Sequence, residues 1–449
     1  MIVSSVPPDV AARALFDPSC PPLSGEMRSI SQNARGEEAD QTCEHVRLSA
    51  DGRYAAFTSG AHNLVIDDHN NKKDVFVRDN WTGQVTRVSV ASDGSESNGD
   101  SFDPSISSDG RLVVFSSKAS NLGDPNEQGC IRIYVHDCQT GETKPVSRPQ
   151  DAQHTQCQQG VISADGKRVA FRACEGNFWQ SDGDIFVSDL ASGTTVQVNI
   201  GPKGERLNSF ARDPVLSGDG QVVAFTAGDA QAARRDYTAI HVMDLRNGKI
   251  ECVSRPNGTM DSSSYSPSLS ADGSVVAFFR GNRIVAMDRK SGHESMVADE
   301  TNSYFPRLSA DGRFVTYVSD SQKLAGQQGV LGTRRIYVHD LQKHQNSLLV
   351  SGPQGAQLSQ GDEPDISADG MYIAFQNGCH VLSGPGDDRG MVLKMGRNPL
   401  NDQVQDEAIA REAQRRIDEV AKAQPAPPRV VVEPGAVIID GVRVPRRSR

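Results

Sequence analysis

Two histidine-aspartate pairs, His136-Asp137 and His339-Asp340, have the composition of a general acid-base couple, because a carboxylate beside an imidazole fixes its tautomer and stabilises its protonated form. Comparison within the chain removes them as candidates. Corresponding segments carry Arg78, Ser188, Met243 and Met287 where the histidines stand, and only the aspartate recurs, as Asp79, Asp137, Asp189, Asp244, Asp288 and Asp340. That recurring Asp is expected to accept hydrogen bonds from the turn after it. His241 falls where other copies have Phe76, Tyr134, Phe186 and Tyr337, which predicts packing rather than ligation. The loop Asp67-Asp68-His69-Asn70-Asn71-Lys72-Lys73-Asp74 offers oxygens at Asp68, Asn70 and Asp74 that would suit Ca²⁺, but it lacks the glycine and terminal glutamate of an EF-hand. The matching loop, with Asp124 and Asn126, has Cys130 in place of the second carboxylate, so a solvated polar turn is the sequence reading. The eight cysteines form no C-x-x-C pair, which argues against zinc. Cys130 and Cys138, at the two ends of one predicted strand, are too far apart to bridge. The sequence thus assigns no catalytic, cofactor-binding or metal-ligating residue and predicts no cofactor.

The elements that would position any site come from a repeat. Seven strings share one pattern: Ser49-Ala-Asp-Gly52, Ser107-Ser-Asp-Gly110, Ser163-Ala-Asp-Gly166, Ser217-Gly-Asp-Gly220, Ser270-Ala-Asp-Gly273, Ser309-Ala-Asp-Gly312 and Ser367-Ala-Asp-Gly370. Each lies between two short apolar runs, so each Asp-Gly predicts a two-residue type I′ hairpin. An aromatic follows near the end of the next strand, at Phe57, Phe115, Phe171, Phe225, Phe278, Tyr317 and Phe375. Third strands such as Asp74-Val-Phe-Val-Arg-Asp79 are apolar on both faces, which requires cover on both sides of each sheet. Four strands per repeat, stacked sheet on sheet, make a β-propeller.

The spacing also predicts how the ring closes. Ser147, Ser254 and Ser351 each end a fourth strand 16 residues before the next Ser-x-Asp-Gly, and Ser89 does so at 18. Met27-Arg-Ser-Ile-Ser31 stands 18 residues before Ser49 and lacks three strands of its own, whereas the last repeat lacks its fourth. Residues 26–31 are therefore expected to complete the last sheet of an all-β, seven-bladed propeller, because an open ring leaves two bare sheet edges.

The string Pro-x-x-Ser-x-Asp-Gly, with prolines at 104, 214, 267, 306 and 364, followed by Val-Ala-Phe and Ile-Tyr-Val-x-Asp, resembles the TolB-like propeller repeat over about four-fifths of the chain. Ile, Leu or Val replaces the Trp that this family often has before the Ser. Ala, Ser or Gly replaces its second Pro. The resemblance implies a docking platform for protein partners. Similar propellers cap hydrolases of the prolyl oligopeptidase type, but only about fifty residues follow the repeats and no G-x-S-x-G elbow is present.

The predicted organisation is a Pro-rich arm at 1–23, the propeller at 24–397, an amphipathic helix at 398–424 capped by Asn401, and a Pro-rich tether with a β-prone basic arm at 425–449. The helix would carry an apolar stripe of Ile409, Ala413, Ile417 and Val420. The last segment reads as an exposed strand or hairpin that adds to a partner's sheet or to its own. A formal charge of −10 argues against nucleic acid as the main ligand. No apolar run approaches a membrane span and no secretion signal is read, which predicts a cytoplasmic or particle-bound protein. The functional expectation is a non-enzymatic scaffold that binds protein partners in an assembly through its loops and C-terminal arm. One alternative is a structural or decorating component of a phage or injection-type particle. The other is a ligand-binding or enzymatic propeller, which would be marked by polar or ionisable residues converging from several blades on the central channel.

Overall fold

The computed structural model describes residues 27–123, 130–146, 156–176, 183–201, 204–207, 210–228, 237–255, 262–298, 302–320, 334–348, 362–378, 388–394, 430–433, 436–439 and 442–445. The chain forms two compact units, 1–395 and 396–449. The first is an all-β propeller. Six of its sheets each take four strands consecutive in sequence, as in Cys43–Leu48, Tyr54–Ser59, Asp74–Asp79 and Val85–Arg87. The same antiparallel order recurs over 101–145, 156–197, 212–252, 264–298 and 303–348. A further four-stranded sheet is composite: Asp362–Ile366, Tyr372–Gly378 and Asp388–Lys394 are completed by Met27–Ser29, with Met27 opposite Leu393 and Ser29 opposite Met391. Among the described residues there is no helix; the predicted helix at 398–424 and the arm at 1–23 lie outside them.

The turn chemistry differs from the two-residue hairpin expected. Gly52 has φ +69°, but Asp51 is not left-handed, so the type I′ geometry is absent. Ser49 and Gly52 instead close a four-residue turn (Gly52 N–H to Ser49 O, 3.0 Å), and Ser49 N–H bonds across the hairpin to Tyr54 O at 2.9 Å. The side chains explain the preference. Ser49 Oγ donates to Asp51 Oδ1 (2.7 Å), Asp51 Oδ1 also accepts the Arg53 amide (3.0 Å), and Ser49 Oγ accepts the Tyr54 amide (2.9 Å). Ser and Asp thus satisfy amides that the hairpin leaves unpaired. The glycine is needed twice over, since a Cβ at Gly52 would lie 2.5 Å from Tyr372 Cγ in the neighbouring sheet.

The seven turns also bond to one another. Ala50 N–H donates to Ser108 O, Ser108 to Ala164 O, Asp165 to Gly218 O, Gly218 to Ala271 O, Ala271 to Ala310 O, Ala310 to Ala368 O and Ala368 back to Ala50 O, at 2.7–3.0 Å. This girdle gives a physical meaning to the small residue inside each Ser-x-Asp-Gly. In six of the seven bonds that residue is the donor, a role closed to proline, and at Gly218 a Cβ would come within 3.1 Å of the Ala271 Cβ.

Outward from the girdle, the second strands are buried on both faces, and Phe57, Phe115, Phe171, Phe225, Phe278, Tyr317 and Phe375 are fully inaccessible. Most pair with an aromatic of the third strand: Phe57 with Phe76 at 5.8 Å, Phe115 with Tyr134 at 5.9 Å, Tyr317 with Tyr337 at 5.5 Å. Apolar clusters span neighbouring sheets, and the one holding Phe57 also takes Tyr372 and Ala374 of the composite sheet.

The C-terminal unit carries its own three-stranded antiparallel sheet, Val430–Glu433, Ala436–Ile439 and Val442–Pro445. The expected hairpin gains a third strand, which supplies pairing that an isolated hairpin lacks. For the propeller, removing residues 1–31 should expose the edge of Asp388–Lys394 and produce aggregation or non-cooperative unfolding. A truncated chain that stays monomeric and melts as the full chain does would refute this closure.

Candidate functional site

The loop at 67–74 holds a cation of its own. Asp74 Oδ1 accepts Ser89 Oγ (2.5 Å) and Ser97 Oγ (3.0 Å), and its Oδ2 accepts Asn70 Nδ2 at 2.8 Å. Arg87 occupies the place a metal would take, 3.3 Å from Asp68, 3.7 Å from Asp74 and 2.7 Å from Glu96, with 7% of its side chain exposed. Burial pushes the Asp68 and Asp74 carboxyls upward, and Arg87 opposes the shift in both. The solvated turn of the sequence reading is instead a buried ion-pair cluster. Among the described residues no group of three His, Cys, Asp or Glu side chains is placed to hold a metal.

The three histidines make their contacts within their own sheets. His136 Nδ1 meets Thr143 Oγ1 at 2.8 Å and His339 Nδ1 meets Asn346 Oδ1 at 2.9 Å, both from third strand to fourth within one sheet. His241 is buried against Phe225, its ring 5.9 Å away, and burial lowers its pKa to about 4. The recurring Asp behaves as expected: Asp79 Oδ1 accepts the Trp81 amide at 2.9 Å and Asp137 Oδ1 the Gln139 amide at 2.9 Å. Several also bind an arginine of the inner turn. Arg111 grips Asp137 at 2.6 Å and holds its carboxyl down at about 2.

The residues that do converge are ones the sequence reading passed over. In every inner strand, the residue four before the Ser of Ser-x-Asp-Gly is left-handed: His45, Asp103, Gln159, Asp213, Ser266, Phe305 and Glu363, with φ of 45–56°. All seven of these strands show a register shift at the same point, as between Glu44 and Arg47. Each is a β-bulge, and left-handed backbone at seven non-glycine residues costs on the order of 1 kcal/mol apiece. The bulges set these seven side chains around one cavity of about 330 Å³ on the propeller axis. A second layer lies two residues further along each strand: Arg47, Ser105, Val161, Val215, Ser268, Arg307 and Asp365. All but Ser268 and Asp365 line the same cavity.

Charge in the channel is layered. His45 lies between two carboxylates, Nδ1 3.4 Å from Asp103 and Nε2 3.7 Å from Glu363. Burial raises the Asp103 carboxyl against the pull of His45 and Arg47. Gln159 Nε2 donates to Asp213 Oδ1 at 3.3 Å and Gln159 Oε1 accepts the Asp213 amide at 3.1 Å. In the second layer, side chains tie each sheet to the next: Ser105 Oγ accepts the Ile162 amide (3.1 Å), Ser268 Oγ that of Leu308 (2.9 Å) and Asp365 Oδ2 that of Leu48 (2.8 Å). Around Phe305, which is 39% exposed, Tyr265, Phe279 and Tyr304 stack at 5.2 and 5.9 Å, and Arg212 lies 5.5 Å from the Tyr265 ring. The signal that could have found this site is the residue before each repeat proline, whose identity changes from copy to copy while its spacing does not.

No family model matches the sequence, and no curated protein matches it. Solved structures do. An oligogalacturonate lyase from Vibrio parahaemolyticus aligns over 83% of this chain and 97% of its own, with 10% identity and a TM-score of 0.55. The β-propeller domain of the Trilobed protease from Pyrococcus furiosus, which has an open velcro topology, aligns over 79% of this chain and 96% of its own at 11% identity and TM-score 0.52. A putative TolB from Agrobacterium tumefaciens aligns over 70% of this chain and 94% of its own, at 18% identity and TM-score 0.41. At these identities the likeness to the lyase and to the protease domain establishes the propeller fold and nothing of its use.

Because Arg87 neutralises carboxylates that are nearly inaccessible, Arg87→Ala should cost roughly 3–5 kcal/mol, read by urea unfolding. Millimolar Ca²⁺ should leave the melting temperature of the unaltered chain unchanged. A large Ca²⁺-dependent rise would mean that the loop takes a metal in spite of Arg87.

Proposed function

We propose that this protein is a binding module built on a seven-bladed propeller, composite sheet included, and that its ligand site is the central channel. One observation carries the reading. All seven inner strands spend left-handed backbone at the same position, and the side chains so presented are an imidazole, three carboxylates, an amide, a hydroxyl and an aromatic ring. A position that only packed a propeller core would repeat apolar or small residues, as the second strands and the girdle do. Strain held at one place and carrying varied polar chemistry is the mark of a functional site. Binding rather than turnover is the proposal, since a shared fold brings no reaction with it.

A thermal-shift screen with charged and neutral small metabolites tests this. Compounds that stabilise the unaltered chain should lose their effect in Ser266→Trp, which narrows the channel from one strand. Compounds that act equally on both proteins, or a protein unmoved by the whole panel, would count against an axial site.

A second role is supported by the separate C-terminal unit, whose sheet pairs internally. We propose that residues 398–449 attach the protein to a protein partner in an assembly. A chain truncated after residue 397 should melt within a few degrees of the full chain, as expected for a change of no more than about 1 kcal/mol, and should lose association with proteins that co-purify with it. A clear drop in melting temperature with association intact would contradict this.

A further inference from the structure

Arg47 and Arg307 come from strands on either side of the composite sheet and line the same cavity in its second layer. Each guanidinium carries five N–H donors in a planar fork. Of all these donors, the one bonded to a described residue is Arg47 Nη1, which reaches its neighbour's carbonyl, Val46 O, at 2.8 Å. Among the described residues, neither guanidinium has a carboxylate within ion-pair distance.

The carboxylates in and beside the channel, by contrast, are engaged. Asp365 accepts the Leu48 amide, Asp213 is bonded by Gln159 and lies 3.7 Å from Arg212, and Asp103 and Glu363 flank His45. Enclosure and the charge of Arg47 bring the Arg307 pKa down to about 10, an effect that Asp365, Glu363 and Asp213 resist from a distance. Two channel cations that repel each other, with all but one of their donors unused by the described residues, offer an anion paired donors that the chain does not engage.

We propose that the channel binds a small organic anion whose carboxylate or phosphate sits between Arg47 and Arg307 and whose hydroxyl or ammonium groups face Asp103, Asp213 and Glu363. This rests on the channel being the ligand site. The cavity, about 330 Å³, suits a molecule of monosaccharide size. Guanidinium forks match both anions in pairs of parallel hydrogen bonds, and the outer carboxylates reject a bare hydrophobic acid because they would lose water without gaining donors. The outer carboxylates and the inner arginines therefore give the ligand a direction, anion first.

Calorimetric titration of the full chain with gluconate, glucose 6-phosphate and neutral glucose tests this. At least one anion should bind, at least tenfold more tightly than glucose, and sulfate should compete with it. Which of the two binds tells carboxylate from phosphate. Arg307→Gln and Arg47→Gln should each weaken that binding tenfold or more, Arg307→Lys should weaken it less, and Arg111→Gln, outside the channel, should leave it unchanged. Sulfate competition on the unaltered chain stands even if an arginine variant fails to fold. No binding of either anion, equal binding of glucose, or indifference to sulfate would overturn the proposal. Anion binding lost in Ser266→Trp but kept in both arginine variants would overturn it while leaving the axial site in place. Binding kept in all three would remove both readings.

Discussion

Seven backbone hydrogen bonds between turns, each donated from one sheet to the next and the last returning to the first, hold the propeller together at its axis. A single amide-carbonyl bond contributes only about 0.5–1.5 kcal/mol net, so the girdle matters for geometry more than for energy. It fixes the distance between neighbouring inner strands at their ends, and everything outward inherits that spacing. The turn glycines abut the second strands of the preceding sheet because the girdle brings them there, as Gly52 abuts Tyr372 and Gly370 abuts Phe314. The constraint also selects sequence: a small residue with an amide proton at the centre of each turn, and Ser and Asp side chains to bond the amides that the turn leaves over.

Along the same inner strands, the bulges act in the opposite sense. The girdle demands sameness in every copy, whereas the bulges permit difference, because a left-handed residue aimed at the axis touches no neighbouring sheet core. The channel is where the repeats diverge chemically, with carboxylates and His45 in one layer and Arg47 and Arg307 in the next. Strain there is compatible with a stable ring because the aromatic pairs and inter-sheet clusters lie outside it. Ties such as Ser105 to Ile162 and Asp365 to Leu48 carry the inter-sheet bonding through the second layer, so the site's own walls belong to the scaffold.

Much of this was legible from the repeat. The closing strand at Met27–Ser29 follows from the missing fourth strand of the last copy, and the buried aromatics follow from their fixed offset after each turn. The aspartates that end six of the third strands accept turn amides, as residue type predicts. The turn itself was misread. Asp-Gly suggests type I′, but the serine two residues earlier offers a hydroxyl that bonds Asp51 and Tyr54, which favours a longer turn with only the glycine left-handed. The loop at 67–74 hid its cation because Arg87 lies more than a strand away in sequence. The channel escaped for a deeper reason. Variation between copies set aside His136 and His339, which bond within their own sheets, yet the same variation at His45, Asp103 and Glu363 marks the axis. Sequence spacing does not reveal which strand face points inward when a bulge interrupts the alternation.

The channel keeps its geometry only if the girdle is one cooperative unit, and hydrogen exchange resolved to single amides tests that directly. The amides of Ala50, Ser108, Asp165, Gly218, Ala271, Ala310 and Ala368 should exchange together, at the slow rate set by global unfolding, while fourth-strand amides such as those of Val85–Arg87 exchange faster. Girdle amides that exchange at widely different rates, or faster than the outer strands, would mean that the turns are not bound into a ring and that the channel is not held by it.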